Sequence, residues 1–510
     1  MKQRTALSLD GFSLSFEAVA YFLAGHYRDV KLAPKAVKAV RKGRAFVEKL
    51  LARGEPIYGV NTGFGKLAGV RIADDRLEEL QLNLIRSHSC GVGAPLPEST
   101  VRLAMLLRVN SLCHGNSGVR VDVLESLLAM LRKGVTPWVP EKGSVGASGD
   151  LAPLSHIMLV LIGEGRAYFK NKLMNGRAAM KAAGIKPLTL RAKEGLALIN
   201  GTQIIQAIGL TAIIEARTLV KLGDLTAAMS LEALRGTDRA FDARLAKLRP
   251  HPGHALVAGN MRKLMRGSEI RESHRFGDER VQDAYSLRCI PQVHGAVRDG
   301  LGWVIEVFRR ELNAVTDNPI LFPDDNDVVS GGNFHGQPLA MALDYLAIAI
   351  AELGAMAERR VESMVNPDLS NLPPFLVKES GLNSGLMIAQ VTAAALASEN
   401  KVLCHPASVD TIPTSANKED HVSMGVTAAR KALEVIGNVR KIIVIEMLCA
   451  RCALEYHRPL KTGTLTEKAV RLLMRNIKPL TRDRRIYEDF ETIEALLDKG
   501  AFDDVLAKLE

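Results

Sequence analysis

The sequence predicts a mainly α-helical protein, a core of long helices packed as a bundle behind a loop-rich N-terminal portion. Two observations predict it. From about residue 200 onward, Ile204 to Arg235, Pro338 to Ser363 and Thr427 to Tyr456 repeat Leu, Ile, Val and Ala at three-to-four-residue spacing, with few internal glycines and no internal proline. A helix of ~30 residues is about 45 Å long, so three such rods pack side by side; no strict heptad persists that would make an isolated coiled coil. The first two hundred residues instead alternate shorter helices with the glycine-rich turns YGVNTGFG, SCGVG and CHGNSG, loops of the kind that expose backbone and functional side chains.

Taken in order along the chain, residues 1–200 form the loop-rich portion and residues 201–510 the long-helix bundle with a C-terminal helical region. No low-complexity tract, long linker or internal repeat separates them, so one continuous structural unit is expected. The start, MKQRTALSLDGFSLSFEAVAYF, lacks a sustained apolar core followed by a small-residue cleavage site. Asp344, Glu352, Glu358 and Arg359 interrupt the apolar helices, against a membrane span. The expectation is a soluble, cytoplasmic protein.

Composition narrows the class further. Hydrophobic residues make up 47% and charged residues 24%, enough apolar matter for a large core. Six cysteines in 510 residues are too sparse for a disulfide framework; Cys449 and Cys452 form a CxxC inside an apolar helical run, with no second ligand pair for zinc, and no metal is expected. The net charge of +11 comes from dispersed residues, denser at Lys35 to Arg44 and Arg471 to Arg485 and without interleaved aromatics. That pattern reads as solvated helix faces, not as a nucleic-acid surface. GFGK fails as a phosphate loop because Val60 and Leu67 stand where Gly and Ser or Thr are needed.

The most informative stretch is GSVGASGDLAPLSH, Gly143 to His156. If the nitrogen of Gly149 reaches the carbonyl of Ala147, a five-membered ring closes. Loss of water there and from Ser148 then leaves a methylidene conjugated to an imidazolone, a Michael acceptor made from the chain. Small residues suit the closure. Alone, the tripeptide reads as a tight turn before a helix starting near Leu151, with Asp150 as its cap. It is not a hydrolase elbow, since Asp150 occupies the place of the second glycine, and Ser155 and His156 point different ways on a helix.

The ordered blocks YGVNTGFG, NLIRSHSCGVG, GSVGASGDLAPLSH, EGLALINGTQ, VQDAYSLRCIPQVHGA, TDNPI, GGNFHGQP and SANKEDHVSMG make the chain resemble the aromatic amino-acid ammonia-lyases, and among them those acting on histidine most closely. The resemblance spans most of the sequence. It implies the helical fold of the fumarase/aspartase-like superfamily, though the GSSxMPxKxN loop of fumarase-type lyases is absent. It also implies elimination of ammonia from L-histidine to trans-urocanate, a 4-methylidene-imidazole-5-one formed from Ala147-Ser148-Gly149 with no external cofactor, and a homotetramer whose active sites draw on several subunits.

Ammonia removal needs an electrophile for a poor leaving group and a base for a weakly acidic β-hydrogen. The resemblance assigns the base to Tyr58, whose pKa must then be lowered by nearby donors or positive charge. It assigns a carboxylate clamp to Arg288, a role a guanidinium fork fits, with Tyr285 and Gln282 nearby. Asn200 is placed at the electrophile and Phe334 in the pocket; His335 is read as structural. His88 reads the aromatic end of the substrate, hydrogen-bonding an imidazole or a phenol. Glu419 favours an imidazole that gains charge, while Lys418 departs from the usual glutamine and competes for that charge. A tyrosine or phenylalanine ammonia-lyase, an aminomutase, or a noncatalytic binding homologue are the alternatives; the partner in every catalytic case is a small amino acid.

Overall fold

In the computed structural model, which describes residues 6–54, 56–278 and 280–510, helices dominate and the strands are short. The three long helices run Gln203–Ala233, Gln337–Val365 and Gly425–Glu455, each within two residues of its expected ends. A further helix, Ile290–Glu311, is not among the three read from the sequence; Pro291 stands in its first turn, where proline is tolerated, and Gly295, Gly300 and Gly302 lie inside it. The structure explains Gly295: a Cβ there would stand 2.5 Å from the backbone nitrogen of His254, and one on Gly253 would stand 2.1 Å from the Gly295 carbonyl. Two backbones meet where only hydrogen fits.

The chain packs as two discontinuous units, not as consecutive halves. One comprises residues up to Ala212 together with Ile305–Asp344 and Pro406–Arg430; the other comprises Ile213–Val304, Tyr345–His405 and Lys431–Glu510. Within the second, Arg360 and Glu446 form a fully buried ion pair, Nε to Oε1 at 2.5 Å, and the Ser230 hydroxyl donates to the same carboxylate at 2.6 Å. Arg360 also donates to the Ser286 carbonyl at 3.3 Å, steadying the short Tyr285–Arg288 helix. Cys449 and Cys452 lie buried on the Gly425–Glu455 helix, and burial pushes the Cys452 thiol up to about 11.

Two small features of the first unit place the functional segments. Strand Val92–Pro95 pairs antiparallel with Pro140–Lys142, tying the end of the Leu77–His88 helix to the start of the Gly143 stretch. The helix expected after the glycines runs Leu151–Leu161, but Asp150 does not cap it. Its buried carboxylate instead accepts the backbone N–H groups of Ile204 and Ile205, both at 2.9 Å, and the Ser144 hydroxyl at 3.1 Å. It caps the neighbouring long helix. Burial raises its pKa to about 7 despite those donors.

The expected solvated basic face is mostly that: Lys35, Lys38, Arg41 and Lys42 on the Pro34–Arg53 helix are exposed. Arg44 is not, and donates to the Ala192 carbonyl at 3.1 Å. Two segments, Glu194–Ala233 and Gln337–Val365, are long and apolar enough by length and composition to cross a membrane, yet 89% and 61% of their most apolar windows are buried inside the protein.

Candidate active site

Ser148 stands at the meeting of several segments of the first unit. Its hydroxyl donates to Glu419 Oε1 at 2.6 Å, and its carbonyl accepts Asn200 Nδ2 at 2.8 Å. Asn200 follows directly on the Glu194–Ile199 helix, and buried cations fix that neighbourhood. Arg108 donates to Gln203 Oε1 and to the Thr316 carbonyl, both at 3.0 Å, and also to the Ala197 carbonyl. Lys193 pairs with Asp317 at 2.8 Å, both wholly buried. Lys193 offsets the cost of its burial with the Asp317 carboxylate, whereas Arg108 relies on neutral oxygens, and burial lowers its pKa to about 10.

Around Ser148 opens a cavity of about 630 Å³ lined by Tyr58, His88, Ser148, Asn200, Phe334 and Glu419 among others. A second of about 660 Å³ adjoins it, sharing Tyr58, Ser148, Phe334 and Glu419 and adding Lys418, His335 and His421. His335 stacks on His421, ring centres 5.7 Å apart. The hydrogen bonds of the Glu419 carboxylate go to hydroxyls, Ser148 on one oxygen and Thr414 on the other at 2.6 Å, and not to Lys418.

His88 has a defined tautomer. Its Nδ1 lies 2.9 Å from the Leu84 carbonyl and 3.1 Å from the Ser87 hydroxyl; the carbonyl, the nearer of the two, can only accept, which assigns the proton of the neutral ring to Nδ1 and the lone pair to Nε2. Burial holds the imidazole pKa below the usual histidine range. His88 therefore presents a neutral hydrogen-bond acceptor.

Tyr58 departs from expectation. Burial pushes its phenol up, and the charges of Glu419 and Asp317 push it the same way against one opposing bond, donated by the Gly65 N–H at 3.4 Å. The expected lowering needs donors or positive charge; the cation that lines these cavities, Lys418 in the second, contributes no lowering at Tyr58, and no arginine lines either cavity among the described residues. Arg288, Gln282 and Tyr285 belong to the second unit and line neither cavity. Gln282 and Tyr285 are exposed, and the Arg288 guanidinium sits 4.4 Å from the centre of the Tyr285 ring.

The family model for aromatic amino acid lyases matches residues 14–475. The chain belongs to the aromatic amino acid lyase family. A histidine ammonia-lyase of Caldanaerobacter subterraneus subsp. tengcongensis is 50% identical over 498 residues, 98% of this chain and 97% of that protein. Among solved structures, histidine ammonia-lyase from Trypanosoma cruzi is 45% identical at a TM-score of 0.91, covering 99% of this chain and 95% of that one. Tyrosine aminomutase from Streptomyces globisporus is 37% identical at a TM-score of 0.92, with 99% of each chain covered.

This family is the class of lyases that depends on a methylidene-imidazolone, and the residues present fit that group. Ala147 is buried. Gly149 has a φ of +71°, and a Cβ there would stand 2.4 Å from the Gly201 carbonyl oxygen, so no larger residue is accommodated. Asn200 Oδ1 is buried with no hydrogen-bond partner among the described residues, an acceptor beside Ser148 left unsatisfied. Sequence reasoning missed Thr414 and Leu84, the residues that hold Glu419 and His88. Neither leaves a signal of spacing or composition.

Proposed function

We propose that this chain eliminates ammonia from L-histidine to give trans-urocanate, after Ala147, Ser148 and Gly149 mature into a 4-methylidene-imidazole-5-one. The observation that carries the reading is the Ser148 hydroxyl donating to Glu419 in a cavity that Tyr58, His88 and Asn200 also line. The matured group supplies an electrophile for the substrate's amine or aromatic ring. Asn200 Nδ2 holds the carbonyl of residue 148. Tyr58 takes the β-proton at its phenolic oxygen, which requires a cation to bring its pKa down. His88 Nε2 accepts the imidazole N–H, Phe334 walls the ring, and Glu419 pairs with the imidazole as it gains charge.

Arg288 binds the carboxylate, with Gln282 and Tyr285 beside it. In the homotetramer we propose, neighbouring subunits contribute these residues to each site, and the guanidinium supplies the positive charge Tyr58 needs. A cytoplasmic location accords with this metabolic chemistry. Activity on histidine, tyrosine and phenylalanine measured side by side, with product analysis and intact mass, tests the proposal. The expected results are urocanate from histidine and a mass two waters below that encoded. A β-amino acid product, or preference for another substrate, overturns the assignment.

A further inference from the structure

Glu419 closes a turn with an unusual backbone. Thr414 and Glu419 exchange both main-chain hydrogen bonds, the Thr414 N–H to the Glu419 carbonyl at 2.9 Å and the reverse at 3.2 Å. Between them Ser415, Ala416 and Asn417 take φ values of 53°, 52° and 65°. Side-chain-bearing residues avoid this left-handed region, and three in succession persist only where surrounding contacts hold them. The turn brings the Thr414 hydroxyl to Glu419 Oε2 at 2.6 Å while the Ser148 hydroxyl occupies Oε1 at the same distance. Each carboxylate oxygen therefore has one hydroxyl donor.

The two donors have different fates under the proposed function, on which this inference rests. Maturation removes the Cα hydrogen and the hydroxyl of Ser148 as water, leaving a carbon–carbon double bond, so Oε1 loses its donor. Thr414 keeps its hydroxyl. A carboxylate with no fixed donor rotates freely about its last torsion; one pinned at Oε2 keeps Oε1 directed at the vacated position. We infer that Thr414 is a positioning residue for the reaction: its hydroxyl anchors Glu419 Oε2 so that Oε1, released when Ser148 sheds its oxygen, faces the substrate. Thr414 touches no reacting atom and acts only through Glu419.

The test compares full-length Thr414→Val and Thr414→Ser with the parent by intact mass and steady-state kinetics on histidine, and repeats Thr414→Val in a Glu419→Gln background. Thr414→Val is expected to carry the parent's two-water deficit while kcat falls about 10- to 100-fold, the range for a hydrogen bond to a charged group, with KM changed less than about threefold. Thr414→Ser is expected to restore most of the loss. In the Glu419→Gln background the valine is expected to add little, because two residues acting as one unit are not additive. Turnover of Thr414→Val near the parent's, equal losses in valine and serine variants, or full additivity with Glu419→Gln overturns the inference. If Thr414→Val does not fold by circular dichroism, Thr414→Ala against Thr414→Ser decides by the same criteria. A parent without the mass deficit, or inert on histidine, refutes the proposed function instead, and is recognised before any variant is made.

Discussion

Replacing His88 by leucine is the perturbation whose size the structure sets most directly. With Nδ1 committed to the Leu84 carbonyl at 2.9 Å and burial keeping the ring neutral, Nε2 is an acceptor that a substrate ring must satisfy. Histidine offers an N–H and tyrosine an O–H, whereas phenylalanine leaves the lone pair unpaired at a cost of about 1–3 kcal/mol. At about 1.4 kcal/mol per decade, that is roughly a 5- to 150-fold discrimination in kcat/KM. His88→Leu removes the acceptor, so kcat/KM for histidine is expected to fall by about one to two decades while the phenylalanine-to-histidine ratio rises by as much. The assay is the absorbance of the unsaturated products from the three amino acids, run side by side, with intact mass to show that the ring-forming residues have matured. A ratio unchanged in His88→Leu refutes the argument, because the acceptor would then contribute nothing to selection.

Four other perturbations test separate parts of the structure. Tyr58→Phe is expected to retain the two-water mass deficit and lose turnover by orders of magnitude; in the parent, kcat/KM is expected to climb with pH as the phenol ionises, a slope the variant's residual activity lacks. Gly149→Ala forces a Cβ to 2.4 Å from the Gly201 carbonyl at a φ of +71°, so the mass deficit is expected to disappear even in protein that folds. Burial raises Glu232 from 4.5 to about 8, so the folded protein holds a proton the unfolded chain has released and stability falls as pH rises through that window; urea midpoints of Glu232→Gln are expected to gain on the parent's between pH 6 and pH 9. Glu446→Ala strands the buried Arg360 guanidinium and is expected to cost about 3–5 kcal/mol in urea unfolding, much of it recovered when Arg360 is also made methionine.

The long helices were legible because apolar periodicity is local and burial selects it. The Ile290–Glu311 helix was not, since the reason for Gly295 lies on Gly253, 42 positions away. The same divide runs through the site. Tyr58, His88, Ser148, Asn200, Phe334 and Glu419 sit in recognisable blocks, and one cavity gathers all six. Thr414 carries no pattern, because an irregular left-handed turn delivers its hydroxyl. Asp150 was misread for a related reason: the capping rule looks only along the chain, while the N–H groups this carboxylate accepts begin at Ile204. Charge effects on Tyr58 depend on the distances of Glu419 and Asp317, which no spacing encodes.

Ring closure demands that one nitrogen approach one carbonyl carbon, and in a solvated glycine turn that arrangement is rare and short-lived. Here the flanking backbone is held from three directions. The Val145 carbonyl accepts the N–H groups of Ser423 at 3.1 Å and Met424 at 2.8 Å; the Gly146 carbonyl accepts Gly336 N–H at 3.0 Å; and Asp150 N–H donates to the Gly201 carbonyl at 2.7 Å. Asn200 takes the Ser148 carbonyl. Fixing a residue's backbone costs about 1–2 kcal/mol of conformational entropy, and folding meets that cost before any bond is made. Preorganisation of this kind accounts for large accelerations in intramolecular reactions. It follows that maturation depends on residues far from the tripeptide. Ser423→Pro, which deletes one N–H to Val145 as well as the hydroxyl, is expected to slow the appearance of the two-water deficit after refolding, while Ser423→Ala, which keeps that N–H and removes only the hydroxyl with its bonds to the Gly146 carbonyl at 3.0 Å, the Val145 carbonyl at 3.5 Å and the Gly425 N–H at 3.2 Å, slows it less. Equal maturation rates in both variants and the parent, followed by intact mass, would show that the clamp is incidental and that the tripeptide closes by its own local geometry.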